Sequence, residues 1–263
     1  MTIESLTQPF NVDVKANRIN RFDQQWYQIV LPDKEVDLPS VTTYLDVFPK
    51  GLGFKLWLQN VGDKADSIRN EAGQLGSHVH KIIEMTLRGE SVSFENLDGT
   101  RNCSLEEWER YMSWCLWYQD TVKNAGLKPL YIEQIVHSVE LEMAGTIDLI
   151  AETKLGIFIF DWKSGSFVGD TAEIQVSTYI TLANRMEVFG NIVGGNIVQL
   201  HPSLNKKGFR ASAVENVDVN FQTMLNCQQI WKRVNKNAKP KYKIYPNEVS
   251  LEYLNNETLN FTE

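Results

Sequence analysis

Long apolar runs and an excess of positive charge are both missing from this 263-residue sequence. No run approaches the length of about 20 apolar residues that a membrane-spanning helix needs, so we expect no transmembrane segment. Lys and Arg number 26 against 33 Asp and Glu, which leaves a net charge of −7. This balance argues against a histone-like protein that holds DNA by charge alone. It does not argue against an enzyme that approaches phosphate through metal ions held by carboxylates.

Cysteine is scarce, and its spacing argues against several kinds of site. The three cysteines form no C-x-x-C pair, so we expect them to be packing residues in a reducing compartment. Three are also too few for a four-cysteine iron–sulfur cluster, and a Walker A motif is absent. The first ten residues carry Glu4 and no Lys or Arg, unlike a secretory signal or a transit peptide. We therefore expect a soluble cytoplasmic protein.

The apolar pattern predicts a single domain over residues 1–263, with enough apolar residues for one sizeable core. Residues 1–70 form strands and short helices: a strand pair over 11–31, a turn-rich loop over 32–39, a short helix capped by Ser40 and a helix over 52–60. Residues 71–240 form a core, and residues 241–263 form a polar tail.

The core has the predicted order helix, three strands, helix, strand. Its elements are a helix over 64–88, a strand over 131–143, a hairpin over 145–163, a helix over 170–187, strands over 192–200 and 208–214, and a helix over 218–237. An amphipathic helix over 104–125 is inserted, with a capping box at Ser104 and Glu107 and a stop at Gly126. Asp170 and Glu173 predict a second capping box.

Three charged residues lie inside an otherwise apolar hairpin, "GTIDLIAETKLGIFIFDWKSG", residues 145–165. A turn at Lys154 and Leu155 places Asp148 opposite Asp161, with Cβ atoms about 4.5–5.5 Å apart. Two carboxylates that close repel each other unless a cation lies between them, and carboxylate oxygens are ligands that Mg²⁺ prefers. Lys163 projects from the same face as Asp161. The alternative is a solvated salt bridge at the end of the hairpin.

Further motifs occur in a fixed order around this hairpin. Together they resemble the PD-(D/E)XK nuclease superfamily, in its RecB-like branch. The matching elements are Gly76-Ser77-x-Val79-His80, Gly145-x-x-Asp148, Asp161-Trp162-Lys163-Ser164-Gly165 and Gln175-x-x-x-Tyr179. The segment "LPSVTTYLDVFPKGLGFKLWL" is similar to the start of the mitochondrial genome maintenance exonucleases and their phage-encoded relatives. The resemblance covers roughly residues 20–200.

The resemblance implies an α/β fold with a restriction-endonuclease-like core, a central mixed sheet flanked by helices and a helical N-terminal elaboration. It also implies a DNA exonuclease that uses Mg²⁺ or Mn²⁺, prefers single strands and works with replication or recombination proteins in a bacterial or phage-infected cell. The implied metal ligands are His80, Asp148, Asp161 and the Trp162 carbonyl. Lys163 would orient the attacking water, while Gln175 and Tyr179 would place the DNA strand or the lysine. Glu133 matches an acidic position of this branch.

Two other functions remain as alternatives. One is an endonuclease of the same fold. The other is an inactive nucleic-acid-binding or scaffold protein, against which the intact Asp and Lys residues argue. An exonuclease is favoured because residues 1–70 are too few for an independent domain but enough to roof the active site. A roofed groove admits a single strand and excludes a continuous duplex.

Several other residues have a structural and a functional interpretation. His78 is expected at the surface, and Glu84 either orients the His80 imidazole or is a solvated helix charge. The aromatic residues of helix 104–125 are expected in the core rather than stacked on bases. The basic stretches 206–210 and 231–243 either track phosphates or are solvated.

Overall fold

The computed structural model describes residues 16–21, 24–96, 99–240 and 250–251. Its strands are β1 (Ala16–Arg21), β2 (Gln24–Val30), β3 (Glu35–Pro39), β4 (Lys128–Ser138), β5 (Met143–Thr153), β6 (Gly156–Lys163), β7 (Ile192–Leu200) and β8 (Phe209–Ala213). Its α-helices are α1 (Val41–Leu45), α2 (Leu52–Val61), α3 (Ala65–Leu87), α4 (Leu105–Ala125), α5 (Thr171–Met186) and α6 (Val217–Val234). None of the helices in these ranges is long and apolar enough to cross a membrane.

A mixed five-stranded sheet with the order β4-β5-β6-β7-β8 forms the centre of the protein. Only the β6–β7 pair of this sheet is parallel, and α5 makes the crossover between these two strands. Helices α1, α5 and α6 bury one apolar cluster against the sheet, and α3 and α4 bury a second. The predicted α/β fold, with a mixed sheet flanked by helices, is therefore confirmed.

A small antiparallel sheet, β1-β2-β3, precedes the core. The predicted turn-rich loop over 32–39 is wrong in part, because β3 pairs with β2 and buries Leu38. The pattern Glu35-Val36-Asp37-Leu38 already alternates as a half-buried strand does. The Tyr27 hydroxyl of β2 lies 2.9 Å from Thr146 Oγ1 of β5, which joins the two sheets. The strand predicted near residues 11–14 lies outside the described residues.

The helix ends follow the predicted signals with one exception. The Ser40 side chain accepts a hydrogen bond from the Thr43 amide, and Ser104 and Glu107 form a complete capping box. The capping box predicted at Asp170 and Glu173 is wrong. Asp170 has helical backbone angles (φ −56°, ψ −26°) and makes no side-chain cap. An N-cap side chain reaches the helix amides from an extended backbone conformation, which Asp170 does not have.

The aromatic residues of α4 belong to the core, as predicted. Tyr111, Trp114 and Trp117 are buried, and the Trp117 ring packs 4.9 Å from the ring of Trp162, centroid to centroid. Trp108 and Tyr118 pack at the edge of the same cluster. This packing anchors the backbone of β6 where its functional residues begin.

Candidate active site

The β5–β6 hairpin has the register that its sequence predicts. Leu149 pairs with Phe160 and Thr153 with Gly156, which leaves Lys154 and Leu155 in the turn. Beyond the last ladder pair, Asp148 Oδ2 accepts a hydrogen bond of 2.7 Å from the Trp162 backbone N–H. The buried carboxylates of Asp148 and Asp161 therefore lie at the open end of the hairpin.

Helix α3 brings His80 to the same place. Val79 and Ile83 are buried four residues apart and fix the helix against the second apolar cluster. His80 Nδ1 lies 3.2 Å from Asp148 Oδ1, and His80 Nε2 lies 3.2 Å from the Trp162 carbonyl oxygen. Three of the four predicted metal ligands are thus in direct contact. His78 points elsewhere and pairs with Glu107 at 2.8 Å.

Glu133 on β4 joins this cluster. Ligand atoms of His80, Glu133 and Asp148 all lie within 4.8 Å of one another. The backbone of Glu133 has φ +50°, a left-handed conformation that costs a non-glycine residue about 1–3 kcal/mol and is concentrated at functional sites. The ladder pairs on either side are Ile132–Leu149 and Gln134–Ile147, so the two strands are distorted at Glu133 and Asp148. Sequence reasoning gave Glu133 only as a matching position.

The charges of the cluster are coupled. Burial alone would lower the pKa of His80, but the Asp148 carboxylate and the nearby Glu133 raise it to about 9. Burial opposes ionisation of Asp148, yet His80 and Lys163 lower its pKa. The pKa of Asp161 is raised by burial and by Asp148, against the attraction of Lys163. A protonated His80 therefore donates to both Asp148 and the Trp162 carbonyl.

This donor set fits a divalent metal ion. Carboxylate and carbonyl oxygens are suitable ligands for Mg²⁺ and Mn²⁺, and an imidazole nitrogen suits Mn²⁺, the transition metal of the two. An imidazole binds a metal only in its neutral form, so an ion bound here would displace the proton that the neighbouring carboxylates favour on His80. The His80 side chain is 29% exposed, whereas that of Asp148 is 9% exposed, so solvent reaches the donors from the His80 side. His80, Glu133 and Asp148 would hold the ion, with Asp161 and the Trp162 carbonyl beside them.

A chain of polar contacts holds Lys163. Its Nζ lies 2.7 Å from Asp161 Oδ2 and donates to Gln175 Oε1 at 2.8 Å. Gln175 Nε2 in turn donates to the Tyr179 hydroxyl at 2.9 Å. The ring of Tyr179 occupies the space over Gly145, where an added Cβ would lie 2.3 Å from Cε1 of the ring. The glycine three residues before Asp148 is therefore explained by the tyrosine that packs on it.

A model of the PD-(D/E)XK nuclease superfamily matches residues 53–248. The chain belongs to the PD-(D/E)XK nuclease superfamily. The matched range runs from α2 past the end of α6 and includes the complete five-stranded sheet. A search of curated proteins found no match. This nuclease is a hydrolase that acts on nucleic acid, and the cluster at the end of the β5–β6 hairpin is its candidate active site.

Two residues that sequence reasoning missed hold the backbone of this nuclease just after Lys163. Arg110 Nε on α4 donates to the Ser164 carbonyl at 2.8 Å, and Gln199 Nε2 on β7 donates to the Gly165 carbonyl at 2.9 Å. Both side chains are buried. The one signal in the sequence is spacing, because Arg110 lies four and seven residues before Trp114 and Trp117 on the same helix face.

Other predicted charges of the nuclease lie in surface ion pairs. Glu84 contacts Lys81 and Arg88, each at 2.9 Å, which agrees with the interpretation as a helix charge. In the basic stretches, Lys207 pairs with Asp120 at 3.2 Å and Lys232 pairs with Glu142. Residues 241–243 of the second stretch lie outside the described residues. These pairs support the solvated interpretation for the cations that make them.

Proposed function

We propose that the protein is a divalent-metal-dependent DNA exonuclease that prefers single-stranded ends. One observation carries this proposal. His80, Glu133, Asp148 and Asp161 gather at the end of one hairpin beside Lys163, whose ammonium is held by Asp161 and Gln175. Such a site combines acidic and imidazole donors for Mg²⁺ or Mn²⁺ with a cation for the substrate.

The roles of the residues follow from their contacts. A bound Mg²⁺ or Mn²⁺ would supply Lewis-acid stabilisation of the phosphoryl oxygen and lower the pKa of a water. Lys163 orients the attacking water and stabilises charge that develops on the phosphate. Gln175 and Tyr179 fix the position of the ammonium, because a hydrogen-bonded chain restricts its rotamers. Asp161 keeps Lys163 close to the buried carboxylates.

The preference for an end rests on the elements that precede the core. Strand β2 is joined to β5 through Tyr27 and Thr146, and the Tyr44 hydroxyl of α1 donates to the Glu142 carbonyl at 2.7 Å. These contacts support residues 24–61 as a cover beside the active site, within a single nuclease domain. A covered site favours a free single strand over a continuous duplex. A cytoplasmic role in DNA replication or recombination is part of this proposal.

End-labelled DNA tests the activity. We expect Mg²⁺ or Mn²⁺ to support digestion of linear single strands, EDTA to abolish it, and closed circular single strands to be spared. Lys163→Ala should slow the reaction by roughly 10²–10³-fold, the loss typical for removal of one charge-stabilising donor.

The same substrates separate the alternatives. Comparable cutting of circular and linear single strands would replace the exonuclease with an endonuclease of the same fold. If the wild-type protein binds DNA but cuts no substrate with either metal, it is an inactive binding protein. Near-normal activity of Lys163→Ala would remove this site from the reaction.

A further inference from the structure

A groove of about 710 Å³ lies next to the candidate active site. It runs between the segment that joins α1 to α2, the first turns of α2 and the loop that leads into α5. Its volume is within the ~300–1,000 Å³ of typical ligand sites. Of the residues in the metal cluster and the Lys163 contacts, only Gln175 lines this groove, so the rest of its lining needs its own explanation.

The groove exposes aromatic rings. Phe54 and Trp57 of α2 lie with ring centroids 5.5 Å apart and planes tilted by 30°, and Phe167 on the opposite loop is 82% exposed. Every residue of α2, all of which the structure describes, remains at least partly exposed. These rings are therefore not core residues of the described protein. Exposed aromatic faces in a groove are the feature on which unpaired bases stack.

The charges of the groove argue for bases rather than phosphates. Among the described residues that line it, Lys50 is the one cation, and its Nζ lies 5.1 Å from the centre of the Phe54 ring. Two acidic residues, Asp46 and Asp170, also line the groove. Carboxylates repel phosphate, but they accept hydrogen bonds from the exocyclic amino groups of bases.

The groove is continuous with the catalytic contacts. Gln175 lines it and also accepts the hydrogen bond from Lys163. We propose that this groove binds unpaired nucleobases of the substrate strand next to the phosphate that is cut, by stacking on Phe54, Trp57 and Phe167. This inference deepens the proposed nuclease function and rests on it for the position of the scissile phosphate. The backbone of the strand would lie on the open side of the groove.

Binding without cleavage tests the proposal directly. The probe is a fluorescein-labelled single strand, and its anisotropy is measured in EDTA so that no digestion occurs. Phe167→Ala and Trp57→Ala should each weaken binding by roughly 5–150-fold, the value of one stacked base. Phe167→Leu should bind as weakly as Phe167→Ala, because an apolar side chain without a ring does not stack. Leu155→Ala is the matched control, since Leu155 is equally exposed, at 82%, in the hairpin turn.

Abasic substitutions in the probe identify what the rings contact. For the wild type, a run of abasic sites near the end of the probe should weaken binding as much as Phe167→Ala weakens binding of the intact probe. When Phe167→Ala is tested with the abasic probe, the loss of affinity should be little larger than for either change alone. Binding of a covalently closed circular duplex, which offers no unpaired bases, should not change in Phe167→Ala. Equal losses for single strands and this duplex, or full affinity of Phe167→Leu, would overturn base stacking.

The two proposals fail in different ways. Suppose that the wild type digests DNA and that the ring variants bind the single strand as tightly as Leu155→Ala does. Base binding in the groove would then be refuted, and the proposed nuclease activity would stand. A wild type that cuts nothing with Mg²⁺ or Mn²⁺, while the ring variants still lose single-strand binding, would refute the proposed function and leave the groove. Circular dichroism melts identify any variant that loses binding because it unfolds. Phe167 is 82% exposed, so its substitution should disturb the fold least.

Discussion

Replacing Gly145 with alanine should slow cleavage because it displaces Tyr179, which positions Lys163 through Gln175. The added Cβ would lie 2.3 Å from Cε1 of Tyr179, whereas carbon atoms in contact lie about 3.5–4.0 Å apart. The buried ring must therefore shift by more than ~1 Å. Its hydroxyl would then leave Gln175, the residue that accepts the hydrogen bond from Lys163.

The expected size of both effects follows from this clash. Overpacking of a buried site costs about 1–3 kcal/mol. For a chain of this size, each kcal/mol lowers Tm by about 2–4 °C, so Tm should fall by roughly 2–12 °C. A misplacement of about 1 Å in a catalytic group costs on the order of 10²-fold in rate, which is the loss that we expect for Lys163.

Single-turnover digestion of an end-labelled single strand with Mn²⁺ measures the rate, and a thermal melt measures the stability. Gly73→Ala on α3 is the matched control, because nothing lies within 4 Å of its added Cβ. That variant should gain about 0.5–1 kcal/mol, since alanine suits a helix interior better than glycine. If Gly145→Ala cuts at the wild-type rate despite a lower Tm, Tyr179 does not position Lys163, and the reasoning fails.

Three other changes test separate parts of the site. His80→Ala should weaken Mn²⁺ binding in calorimetry by about tenfold or more, a loss above ~1.4 kcal/mol, and His78→Ala should not; equal effects would mean the wrong imidazole. Arg110→Met should slow cleavage by roughly 10–100-fold through the released Ser164 carbonyl, with Mn²⁺ affinity retained; an unchanged rate contradicts this role. Burial opposes ionisation of Glu107, but hydrogen bonds from Ser104 and His78 lower its pKa below 4.5. Glu107→Gln should therefore destabilise the protein at neutral pH. Denaturant melts should show the difference in free energy of unfolding between variant and wild type shrinking as acid protonates the wild-type carboxylate.

The hairpin of the site could be predicted from the sequence because its register depends on local information. A turn at Lys154 and Leu155 fixes every pair that follows, so Asp148 and Asp161 had to approach each other. The Gln175–Tyr179 pair was equally predictable, since helical residues four apart share a face. The contact of His80 with Asp148 has no such local signal, and only the order of motifs indicated it.

The remaining features depend on tertiary structure. Glu133 enters the site through a left-handed backbone conformation within a strand, and side-chain period alone cannot indicate such a distortion. Arg110 reaches a carbonyl 54 residues away in the chain, and its position on α4 looks like a surface charge until α4 packs. The residue types at Asp170 and Glu173 match a capping box, but the backbone of Asp170 is already helical, so the predicted cap does not form.

The two halves of the site close chain loops of very different length. The Lys163–Gln175 contact spans 12 residues, whereas the contact of His80 with the Trp162 carbonyl spans 82. With a closure entropy that grows as (3/2)RT ln n, the longer loop costs about 1.7 kcal/mol more. The β6–α5–β7 unit can therefore order the lysine before α3 docks, and an opening of α3 removes His80 alone. Hydrogen exchange should accordingly find the amides of α3 less protected than those of β6. Metal affinity should be lost when α3 opens, and the lysine contacts only when the β6–α5–β7 unit opens.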